Sequence, residues 1–172
     1  MDRRGLDARP DREKRNGSFM RQSPRVLIVE ARFYEDISDE LYAGAAEALD
    51  AADARIERLS VPGAFEIPAA IAMAAEAGRR DATRVYDGYV ALGCVIRGET
   101  SHYDYVCEES ARGLRDLGCR MFVPIGYGIL TVENEDQAWA RADRKRKNKG
   151  ADAAEACLRM IEISRGFGFS AR

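Results

Sequence analysis

Imidazole is almost absent from this chain: its 172 residues include one histidine, His102, one tryptophan, Trp139, and four cysteines, Cys94, Cys107, Cys119 and Cys157. No two cysteines form a CxxC pair, so a zinc centre would need donors at unusual spacing and no metal is expected. A disulfide framework is equally unneeded, because a chain of this length can bury a sufficient core without covalent staples. Scattered, reduced thiols suit the cytoplasm. No apolar run approaches the ~18 residues of a membrane span, and no apolar leader core stands near the N-terminus. Neither a membrane partner nor secretion is expected.

Charge is plentiful and nearly balanced, with 27 Lys+Arg against 29 Asp+Glu, but its placement is uneven. Residues 1–25 hold eight basic side chains and four acids, a net +4 that leaves −6 for the rest. An arginine-rich head raises a nucleic-acid arm or a transit peptide, yet Asp2, Asp7, Asp11 and Glu13 interrupt it, and transit peptides are poor in acids. With few apolar residues to offset the entropy of ordering, residues 1–24 read as a disordered charged tail and no nucleic-acid partner is expected. One folded domain, residues 25–172, remains.

Past the tail the pattern alternates. Residues 25–31 (RVLIVEA) are a β-branched run typical of a buried strand. Residues 37–49 place Leu41, Ala45 and Leu49 on one helical face, with Ser38 placed to cap. Residues 55–61 read as a strand and 66–79 as a helix entered through Pro62-Gly63. Residues 86–96 form a third strand, 101–117 a helix and 120–125 a fourth strand. Two closing helices span 133–142 and 151–164. Alternating strands and helices predict an α/β fold, a three-layer α/β/α sandwich around a four-stranded parallel sheet.

Ligands of such sheets bind beyond the carboxyl ends of the strands, and the unusual local sequences fall there. Phe33 and Tyr34 follow strand one and either cover the sheet edge or stack on a flat heterocycle. Gly63, Ala64, Phe65 and Glu66 follow strand two. Gly63 allows close backbone approach, whereas a carboxylate at Glu66 suits a helix start whatever its function. Residues 97–102 (RGETSH) follow strand three and lead into a helix whose first amides lack intrahelical partners, an anion-binding arrangement. His102, in that first turn, is the only group able to do imidazole chemistry. Gly126-Tyr127-Gly128 is expected to follow strand four on the same rim. The basic run 141–149 reads as a solvated turn between helices.

Five segments in order, VLIVEARFYEDISDELYAGA, VPGAFEIP, ALGCVIRGETSHYDYVCEES, GILTVENEDQAWARA and NKGADAA, resemble the 6,7-dimethyl-8-ribityllumazine synthase family over about residues 26–163. The resemblance implies a flavodoxin-like fold and a transferase that joins 5-amino-6-(D-ribitylamino)uracil to 3,4-dihydroxy-2-butanone 4-phosphate with loss of phosphate and water. It implies no metal or redox cofactor. It also implies a homopentamer, with a larger shell of pentamers and riboflavin synthase as further candidate partners. A non-catalytic lumazine- or flavin-binding or shell-forming protein on the same fold is the competing reading.

Carried over by position, the resemblance makes His102 the proton donor and acceptor and Phe33 the stacking ring. Ala64, Phe65 and Glu66 meet the ribityl chain and ring edge, and Cys94, Val95 and Ile96 line the heterocycle pocket. Glu99 and Thr100 offer main-chain contacts to phosphate. Tyr127 and Arg141 fall on positions that a neighbouring subunit contributes, with Lys149 a weaker candidate. Two residues depart from the family pattern: Tyr34 where Asn is common and Tyr127 where Phe is common.

Overall fold

Seven residues, Arg25–Ala31, form strand β1, and all except Arg25 are buried. Burial on both faces is what the run of branched side chains requires, since such a strand is stable only between neighbours and under cover on each side. The computed structural model, which describes residues 23–169, supplies both. Strand β3, Gly88–Ile96, lies on one side of β1, and β2, Arg55–Val61, on the other; β4, Ile125–Val132, pairs with the outer side of β3. All pairings are parallel and the order is β2-β1-β3-β4, the arrangement of the flavodoxin-like doubly wound sheet. The charged segment 1–24 lies outside the described residues apart from its last two positions.

Side chains alternate between two cores, as the period of a strand demands. Val26, Ile28, Val90 and Leu92 face a layer made of α1 (Glu35–Asp50), α4 (Glu135–Ala142) and α5 (Lys149–Gly166). Leu27, Val29, Ala31 and Ala91 face α2 (Ile67–Arg80) and α3 (His102–Met121). The sheet is therefore the middle of three layers. Among the described residues no helix is long and apolar enough to cross a membrane.

The structure corrects the sequence reading at four places. Ser38 is not a helix cap: α1 starts at Glu35 behind Tyr34, and the buried Ser38 hydroxyl donates to the carbonyls of Ala31 at 3.1 Å and Tyr34 at 2.9 Å. A 3-10 turn, Ala64–Glu66, precedes α2 and leaves Pro68 in the first turn. Helix α3 continues to Met121 and ends through Phe122 in the left-handed region, φ 56°, so the fourth strand starts at Ile125, where the sequence reading ends it. Gly126-Tyr127-Gly128 accordingly lies inside β4 near its start, and not on the rim beyond its end. These glycines look like loop punctuation, but α5 crosses directly over them. A Cβ on Gly126 would come within 1.9 Å of the Ala153 carbonyl oxygen. Finally, the basic run is anchored, not merely solvated: Arg144 bonds Glu40 through its backbone amide at 2.9 Å and its Nε at 3.1 Å, and Glu47 through Nη1.

Candidate active site

Register builds the site before any side chain is considered. Glu30 of β1 is level with Leu92 of β3, and β1 ends one residue later, whereas β3 runs on to Ile96 beside β4. Among the described residues, Cys94, Val95 and Ile96 thus project past the end of β1 with a strand on one side only. The space beside them is a cavity of about 440 Å³, within the size range of small-molecule sites.

Each wall comes from a different strand exit. Ala31, Phe33 and Tyr34 leave β1; Gly63, Ala64, Phe65 and Glu66 leave β2; Gly98 and Thr100 leave β3; and His102, Tyr103 and Val106 begin α3. Nine of the residues singled out by sequence meet here: Phe33, Ala64, Phe65, Glu66, Cys94, Val95, Ile96, Thr100 and His102. Phe33 is 75% exposed and Phe65 54%, a degree of exposure for large rings that suits a docking face better than a core. Phe33 meets Tyr34 edge-on, with ring centroids 5.0 Å apart. Glu99 sits between Gly98 and Thr100, exposed to solvent. The Glu66 carboxylate folds back toward Gly63, where an added Cβ would meet Oε2 at 3.0 Å.

Polar chemistry concentrates at the start of α3. Ser101 occupies the cap position without a side-chain bond and the Asp104 amide donates to its carbonyl at 3.0 Å, which leaves the amides ahead of Asp104 to meet an anion. Thr100 Oγ1 accepts weakly from the His102 amide at 3.4 Å. Beneath this loop Arg97 reaches Asp104 at 3.1 Å and Glu133 at 2.8 Å, with its guanidinium 4.1 Å from the Tyr103 ring centroid. The clasp ties the end of β3 to the first turn of α3. Burial pushes the Cys94 thiol up to about 12, which keeps it neutral and a wall, not a nucleophile. The Tyr34 phenol is raised as well, by burial first and then by Cys94 and Glu135.

Tyr127 and Arg141 are not brought to this cavity within one chain. Tyr127 pairs with Ala91, three residues before the Cys94 level, about 10 Å back along the strand; it lines a separate groove with Leu114, Arg115 and Met160. Arg141 stays on α4 and donates to the Gln137 carbonyl at 3.0 Å. Lys149 pairs with Asp152 at 2.5 Å. Trp139 is half-buried against the core beneath α4, its indole N–H donating to Glu135 at 3.4 Å. Sequence reasoning missed Tyr103 and Val106 as wall residues, although Val106 stands one turn beyond His102 and shares its face.

Known proteins share this sequence over most of its length. The sequence profile described as 6,7-dimethyl-8-ribityllumazine synthase matches residues 23–165. Proteins named 6,7-dimethyl-8-ribityllumazine synthase are 57% identical in Bartonella tribocorum, over 87% of this chain and 95% of the relative, and 57% identical in Agrobacterium fabrum, over 84% and 97%. One named 6,7-dimethyl-8-ribityllumazine synthase 1 in Rhizobium meliloti is 56% identical over 83% and 93%. A profile spanning the whole sheet and every wall of the cavity, with relatives covered almost end to end, establishes that this chain belongs to the 6,7-dimethyl-8-ribityllumazine synthase family.

Proposed function

We propose that this chain is a working lumazine synthase, with the rim cavity of one copy as its active site and Tyr127 and Arg141 of a neighbouring copy closing it in a ring of five. The family reaction makes it a transferase of riboflavin biosynthesis: 5-amino-6-(D-ribitylamino)uracil and 3,4-dihydroxy-2-butanone 4-phosphate condense to 6,7-dimethyl-8-ribityllumazine, releasing phosphate and water. The observation that carries the site assignment is the convergence of nine separately named residues on one cavity with the sole histidine at its edge.

The pyrimidine lies between Phe33 and the β3 overhang, and the ribityl chain runs toward Ala64, Phe65 and Glu66. The butanone phosphate takes the amides near Glu99 and Thr100 and pairs with Arg141 of the neighbour. The uracil 5-amino nitrogen attacks the ketone carbon and water leaves to give an imine. A proton is then removed from the adjacent carbon, the C–O bond to phosphate breaks, and the resulting enol tautomerises before the ribitylamino nitrogen closes the ring with loss of a second water. His102 is the group placed to carry the protons. Holding two substrates together supplies much of the acceleration. Stacking and main-chain recognition need no bound cofactor. The cytoplasm, where its thiols stay reduced, is the assigned location, and riboflavin synthase, which consumes the product, is the natural protein partner.

The direct test mixes purified protein with both substrates and follows product absorbance and phosphate release against the uncatalysed background. Stoichiometric release of both establishes the enzyme. Tight product binding with no turnover would instead support a non-catalytic binding protein on this fold.

A further inference from the structure

Four charged side chains close a square around the exit of β1. Glu30 is fully buried. Its carboxylate accepts from Arg58 at 2.7 Å through Nε and 3.0 Å through Nη2, and from the Ser60 hydroxyl at 2.9 Å. Arg32 Nη1 stands 3.5 Å from Glu30 and 2.5 Å from Asp39. Arg58 completes the circuit to Asp39 at 3.2 Å and lies over the Tyr42 ring, 3.9 Å from its centroid. The square is neutral, with two acids and two bases, and none of its members lines the cavity.

A buried carboxylate of this kind adds little net stability compared with an apolar residue of similar volume, because desolvation offsets the attraction. Its geometry is the more informative property. Between Arg32 and Asp39 the chain makes the turn that carries Phe33 and Tyr34 into the cavity, and the Ser38 hydroxyl fixes the same turn from inside by donating to the carbonyls of Ala31 and Tyr34. Phe33 itself is three-quarters exposed, so packing does little to hold its ring; its place is set by the backbone, and the backbone is gripped on both sides by the square.

We infer that Glu30, Arg32, Arg58 and Asp39 act together as positioning residues that hold the Phe33 ring at the distance and tilt needed to stack on the planar pyrimidine substrate. The inference rests on the proposed stacking role of Phe33. Asp39 is the member to remove first, because its side chain is 58% exposed and its loss leaves no buried orphan. In the full chain as it assembles, Asp39→Asn should raise KM for the pyrimidine about three- to fivefold, the range of exposed charge pairs, with kcat and KM for the butanone phosphate unchanged. Asp39→Glu, which keeps the charge, should stay within about twofold of the parent on the same scale. The decisive measurement is the double variant. Phe33→Ala alone should raise pyrimidine KM strongly, and adding Asp39→Asn should raise it no further, since the square acts through the ring. Multiplying effects, equal shifts in both KM values, or a silent Asp39→Asn beside a strong Phe33→Ala would each overturn the positioning role while leaving stacking intact. A silent Phe33→Ala would overturn the stacking reading and the positioning role with it.

Discussion

At the scale of single residues, proton transfer and binding are separable. His102→Gln keeps size and hydrogen-bonding capacity but removes the imidazole, so kcat should fall by up to about 10²- to 10⁴-fold, less where proximity dominates, while pyrimidine binding persists. An unchanged kcat would remove His102 from the mechanism. His102 and Phe33 stood out in the sequence because each follows a strand whose end is marked by a change of period, whereas Cys94, Val95 and Ile96, inside β3, were named only through the family resemblance. Tyr127 was not: its position depends on where β4 begins, and a strand opening Ile-Gly-Tyr-Gly carries the punctuation of a turn. The role proposed for Arg141 is invisible in one chain for a different reason, since among the described residues its side chain bonds the Gln137 carbonyl of its own helix.

Elements were legible wherever branched runs or alanine faces recur, and β1 and β2 begin and end where the periodicity places them. The misplaced β4 shows what local sequence omits: a glycine in a strand is explained only by what lies over it. Gly126→Ala should therefore cost about 3 kcal/mol or more, since overpacking against backbone has no side chain to yield, and urea unfolding would show it as a lowered midpoint. Gly166→Ala, in α5 with nothing within 4 Å of the added methyl, is the control and should be neutral or slightly stabilising. Equal midpoints for the two variants would mean that α5 does not sit on β4 as described.

For the whole molecule, acid should loosen the fold through carboxylates held below their ordinary range. Asp39 is lowered chiefly by its hydrogen bond from Arg32, Glu40 by the Arg144 amide, and Glu57 by the Tyr86 hydroxyl and then Arg25. A depressed carboxylate contributes stability that is complete above its unfolded pKa and is lost as pH falls through the lower folded value. Urea midpoints should thus be flat with respect to these groups above about pH 5 and decline below about pH 4, with a shallower decline in a Glu40→Gln, Glu57→Gln variant. Site sharing has its own test. Mixed chains carrying either His102→Gln or Arg141→Ala should regain activity on subunit exchange, because hybrid rings contain some sites with both groups intact. Proven exchange without recovery, or an active monomer by light scattering, would end the shared-site reading. The overhang of β3 carries one further consequence. Because, among the described residues, Cys94–Ile96 have β4 on one side and no strand on the other, that edge presents the alternating donors and acceptors of an unfinished sheet. On the proposed site assignment, a uracil, whose ring carries amide N–H and C=O groups in one plane, would complete that sheet as a surrogate strand. Its identity would then be read by main chain that no side-chain substitution can rewrite, so mutations at Cys94 or Val95 should change how tightly the ring is held far more readily than which ring is chosen.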